Sequence, residues 1–213
     1  MDQGLNRRHW FWDFEAYRAF RAAARSDPQA AMAYWGLFMS LGYNPTEQSQ
    51  ARSEALERAR ALAPRATPRA RPYIEAAATL EEPQGRPAQT AYVAAMEHLV
   101  ASYPDDLQAK LLLARFLVVD SGGVYSQPDR PGIHSPFERS EELLEPLLQT
   151  HPQNAGLHHY WIHTHEVGPR PEKALESARK LPQLAPGAGH TLHMPGHLYF
   201  QLGDYEKASD RKS

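Results

Sequence analysis

Residues 155–166, AGLHHYWIHTHE, and residues 189–200, GHTLHMPGHLYF, decide how this chain folds. His159 and His163 in the first stretch recur as His193 and His197 in the second, each 34 residues on. That offset is the period of a helix–turn–helix unit that stacks on copies of itself. Within an α-helix, residues i and i+4 project from one face, about 40° apart. Equivalent positions of neighbouring units lie side by side. The spacing therefore predicts two helices in register and four imidazoles converging on one patch.

Working outward, the chain reads as all-α. Helices are predicted over 12–26, 29–42, 48–63, 68–82, 87–102, 105–119, 137–150, 154–167, 171–184, 190–202 and 204–212, because apolar residues follow helical spacing and alternation never persists. Pro28, Pro104, Pro152 and Pro186 fall where one unit closes and the next helix begins, a position that tolerates the missing N–H. Counted from 155 and 189, Ala174, Gly196, Tyr199, Gly203, Asp204, Tyr205 and Ala208 occupy the small and aromatic positions of a tetratricopeptide unit. The expected architecture is a single domain over 1–213, a right-handed tetratricopeptide solenoid of about five helical hairpins. Residues 120–136, DSGGVYSQPDRPGIHSP, are turn formers and break the pattern. They read either as a lid over a groove or as a tolerated surface insertion. The last helix is short, which predicts a longer natural chain or a second subunit over the open end, a homodimer being the favoured form.

Composition narrows the function. A formal net charge of -2 argues against an extended nucleic-acid surface. The absence of cysteine excludes disulfides, thiolate zinc sites and catalytic thiols. No apolar run approaches the roughly 20 residues of a membrane span. Residues 1–10, MDQGLNRRHW, lack the apolar core of a signal peptide, so the chain as written reads as cytoplasmic, or as exported if a leader was removed. There is no GxSxG, P-loop or GxGxxG; Pro186–His190 reads as a turn into a helix.

Seven of the eleven histidines lie between 158 and 197. In the repeat frame His159, His163, Glu166, His190, His193 and His197 face the concave groove, while His158 and His165 pack between helices. Neutral imidazole is the commonest metal ligand, and two at i, i+4 clamp an ion from one helical face. A second pair completes a four-nitrogen set or serves a second ion. The metal ligands expected are His159, His163, His193 and His197, with His190 as a fifth. Glu166 is the candidate catalytic residue, as a ligand, a partner for an imidazole N–H, or a general base on bound water. Copper, zinc and iron fit the donors, and nickel and manganese stay open. The alternative is a polar groove that binds a peptide.

The same frame puts Trp35 and Met39, then Leu111 and Arg115, on the concave side. Arg115 is the charged partner for a ligand carboxylate or phosphate. Trp35 either stacks on a ligand ring or fills space. His134 lies in the long loop and is a candidate to fold over the groove. His9, His98 and His151 read as solvated, Met194 as core, Asp105 and Asp106 as helix caps, and Glu141, Glu142 and Glu145 as a solvated face.

The segments AMAYWG (31–36), HHYWIHTHE (158–166), LPQLAPGAGHTLHMPGH (181–197) and GDYEKA (203–208) resemble a group of bacterial tetratricopeptide-repeat proteins that carry HYxIHxxE followed by GHxxHMPxH. Members of that group are usually longer and often begin with an export signal. Asp13 stands where the group has a histidine, and SGGVYS where it has an aromatic-rich loop. The resemblance implies the fold and the histidine block but no particular reaction. Three functions are therefore expected candidates: a metal-dependent oxidoreductase or hydrolase, a peptide-binding scaffold, and a metal store or sensor without turnover.

Overall fold

A computed structural model describes residues 2–41, 48–81, 86–120, 135–166 and 169–210. Among these the chain is all-helical and holds no strand. Nor is any helix long and apolar enough to cross a membrane. The chain forms two compact units, Met1–Ala109 and Lys110–Ser213.

The first unit contains α1 (Asp2–His9), α2 (Asp13–Ser26), α3 (Ala31–Ser40), α4 (Ser49–Leu62), α5 (Arg71–Ala78) and α6 (Arg86–Ser102), and α7 (Leu107–Arg115) begins in it. Each helix from α1 to α6 packs on the next where both flanks are described, and α3 also packs on α5. Phe20, Trp35, Phe38, Leu56, Ile74 and Met96 fill the interior. Trp35 meets Phe20 and Tyr73 edge-on, with ring centroids 6.5 and 5.6 Å away. Gly36 lets α2 and α3 close: a Cβ there would sit 2.2 Å from the Phe20 ring. Asp106 caps α7 by accepting the amides of Gln108 and Ala109 at 3.1 and 3.2 Å, as expected. The helix over Asp2–His9 was not expected. His9 at its end is buried rather than solvated and lies 2.7 Å from the Gln108 carboxamide oxygen. Local spacing around residue 9 gives no hint of that distant partner.

In the second unit α7 runs into a wider π-type turn over Phe116–Asp120. Then follow α8 (Pro136–Thr150), α9 (Ala155–His165), a 3-10 turn (Pro171–Ala174), α10 (Leu175–Leu184), α11 (Gly189–Gln201) and α12 (Tyr205–Asp210). Consecutive helices from α8 to α12 pack on one another, and α9 also packs on α11. Ser135 and Glu138 make a reciprocal capping box before α8, at 3.1 and 2.8 Å. Asn154 caps α9 by accepting the Leu157 amide at 3.0 Å. Gly203, at φ 77°, ends α11; its amide and that of Asp204 return to Phe200 and Tyr199, the Schellman pattern that glycine's freedom allows.

Glu141 corrects another expectation. It is not a solvated residue: it holds Lys173 and Arg170 and lies 3.9 Å from the His165 ring.

Candidate metal centre

The site is built on α9. Apart from His163, every residue of this helix is buried. A helix buried on all sides normally carries apolar residues throughout. This one carries four histidines, so each imidazole needs a partner in the interior.

Two of the four are structural. His158 lies 2.8 Å from the Ser177 hydroxyl and 3.0 Å from the Pro152 carbonyl. A carbonyl only accepts, so Nε2 of His158 carries the proton and Nδ1 accepts from Ser177. Burial lowers its pKa, against the Pro152 hydrogen bond. His165 is 3% exposed and stacks edge-on against Trp161 at 4.4 Å. Burial pulls its pKa to about 4, although the Glu141 charge opposes this. Both residues occupy the packing positions that the repeat frame gave them.

The other two face α11. Nε2 of His159 lies 3.1 Å from Nε2 of His163. Nδ1 of His163 lies 2.6 Å from Oε1 of Glu166, the residue that closes α9. Burial alone would raise the Glu166 pKa, but the hydrogen bond from His163 and the charges of His163 and His197 outweigh it and hold the carboxyl below its usual range. An ionised carboxylate only accepts, so the His163 proton sits on Nδ1. In the neutral ring this leaves the Nε2 lone pair of His163 facing His159. Carboxylate-oriented imidazoles of this kind are the usual form of a metal-ligating histidine.

His190, in the first turn of α11, completes a cluster. One ligand nitrogen each from His159, His163 and His190 lie within 4.8 Å of one another. The ring centroids of His190 are 4.9 Å from His159 and 5.8 Å from His163. The pKa of His190 falls to about 4, chiefly through burial and then through the neighbouring imidazoles, so it stays neutral and able to ligate. Two nitrogens at 2.0–2.1 Å on one ion, at octahedral or tetrahedral angles, are separated by about 2.9–3.4 Å. The His159–His163 distance lies within that interval.

His193 and His197 form a second pair further along α11, with their Nε2 atoms 2.5 Å apart. They fall outside the three-histidine group. His193 still reaches it, with its ring 6.4 Å from His190. Nδ1 of His197 lies 2.9 Å from Oε2 of Glu166, so one carboxylate faces both pairs. The five imidazoles thus make a continuous run of ring contacts.

The remaining candidates lie elsewhere. Trp35, 1% exposed, occupies the core of the first unit, the placement of its space-filling alternative. Leu111 is wholly buried, and Arg115, 6% exposed, pairs with Asp120 at 3.0 Å. Met194 is core. His134 and the loop over 121–134 lie outside the described residues. Neither protein-family models nor curated proteins give a match to this chain.

Proposed function

We propose that the second unit is a metal-binding module whose resident transition-metal ion sits among His159, His163 and His190. The observation that supports this most directly is the geometry of the pair: Nδ1 of His163 lies 2.6 Å from Glu166, and its Nε2 lies 3.1 Å from the His159 nitrogen. Three protein nitrogens leave a coordination position for water or substrate, the pattern of catalytic rather than closed structural sites. An all-nitrogen set suits copper, zinc or iron. Hydrolysis through a bound water and oxidation through a redox ion both fit that open position. Glu166 acts here as the residue that orients His163 through Oε1, with Oε2 turned toward His197.

The repeat reading of the fold has support of its own. Consecutive packed helices, the contact of α9 with both α10 and α11, and the 34-residue recurrence fit tetratricopeptide-like units. A peptide groove anchored on Trp35 and Arg115 loses force, since both side chains are interior.

Elemental analysis of protein purified without a polyhistidine tag tests the metal reading. About one equivalent of copper, zinc or iron is expected, retained through dialysis and lost in His163→Ala. Metal-free protein that also fails to take up any of the three on reconstitution would refute it.

A further inference from the structure

We propose that His193 and His197 are an outer capture site, through which a divalent transition-metal ion enters and passes across His190 to the buried cluster. This rests on the metal reading above and adds a route to it.

The two ends of the run differ in exposure. The His197 side chain is 45% exposed, that of His163 11%, and His159 is wholly buried. His193 and His190, which link the two ends, are half-buried. Ring centroids step by 4.4 Å from His197 to His193, by 6.4 Å to His190, and by 4.9 and 5.8 Å to His159 and His163. An ion held about 2 Å from one imidazole can meet the next donor across such a step after a side-chain rotation. Transfer is then stepwise ligand exchange: one metal–nitrogen bond forms as another breaks, with no redox change.

The two pairs differ in a way that suits these roles. The inner pair already has the separation that two ligands of one ion require. The outer pair includes a ring that is 45% exposed and must give up rotamer freedom to share an ion, so it holds the ion less well. Glu166 places its negative charge against a ring of each pair, drawing a cation along the row. A buried cluster without an outer donor would have to strip a hydrated ion in one step. An exposed pair spreads that dehydration over several exchanges.

Stopped-flow mixing with Co²⁺, read by its visible d–d absorption, tests the route. Wild type, His193→Ala/His197→Ala and His197→Gln are compared, each checked for an unchanged far-UV spectrum. The expected result is loading at least tenfold slower in the double variant, with equilibrium affinity within about threefold and the same final spectrum. Equal loading rates would overturn the proposal. So would an affinity loss beyond a hundredfold with an altered spectrum, which would make the pair resident ligands. Wild type that takes up neither Co²⁺ nor copper, zinc or iron would remove the metal reading itself, and this proposal with it.

Discussion

His159 and His163 sit on a helix buried on nearly every side, while His193 and His197 sit on one with an open face. In α11, His197, Phe200 and Gln201 are exposed, and Thr191, Met194 and Leu198 are buried. The difference decides what each pair can do. A buried imidazole is held by packing and by its hydrogen-bond partner, so its lone pair keeps one direction. An exposed imidazole pair must surrender rotamer freedom when it grips an ion, and water competes for its nitrogens. Identical spacing therefore yields a pre-organised half and an adaptable half, with Glu166 touching both.

Removing one histidine from each half is the sharpest way to break that contrast. His163→Ala is expected to weaken metal binding by a hundredfold or more, whereas His197→Ala changes equilibrium affinity by no more than about threefold. Competition titration against a chromophoric chelator measures both. Equal losses would mean that the halves form one site.

Metal should also stabilise the fold, because it binds the native arrangement and not the unfolded chain. At a free concentration one hundred times the dissociation constant, the expected gain is about 2.7 kcal/mol. Thermal unfolding with and without chelator reads this as a rise of several degrees. His163→Ala should show no such rise, and a rise equal to wild type would place the ion elsewhere.

Glu166→Gln tests the shared carboxylate. An amide can still accept from His163, but it carries no charge. Loss of such an orienting carboxylate typically costs about 10- to 100-fold in metal affinity. The expected loss is smaller than that of His163→Ala and larger than that of His197→Ala. An affinity unchanged within twofold would show that His163 is oriented by packing alone.

How much of this was legible in the residues can be seen from α9 and α11 themselves. The 34-residue recurrence, Asn154 and Pro152 before one helix, and Gly203 after the other mark both elements and the face that carries the imidazoles. Periodicity reports backbone register, and register does place His159, His163, His190, His193 and His197 along one run of contacts. It does not report what covers each face. That is why the inequality of the pairs stays hidden, as do the burial of His9 against Gln108 and the capture of Lys173 and Arg170 by Glu141. Those contacts join residues 29 to 99 positions apart, beyond the reach of any local pattern. The one signal that could have separated the pairs is composition: Tyr160, Trp161 and Ile162 surround the first, and a polar Gln201 follows the second.

The burial of α9 also carries a cost that α11's open face avoids, and His165 isolates it. Its folded pKa of about 4 lies below the unfolded value of about 6.5. Between those values the unfolded chain binds a proton that the folded chain refuses, so stability falls as the pH drops from about 6.5 to 4 and is constant above that window. His158, lowered by burial, and His190, lowered to about 4, act in the same direction. His165→Phe keeps a ring against Trp161 and removes one of these groups. In chelator, the variant should match wild type at pH 7.5 within about 0.5 kcal/mol and exceed it by about 1–2 kcal/mol at pH 5, since each pH unit below the unfolded pKa contributes about 1.4 kcal/mol. Urea unfolding at the two pH values measures the difference. If the variant loses stability equally at both, the His165 ring takes up its proton inside the fold, and the inner helix is less sealed than its packing requires.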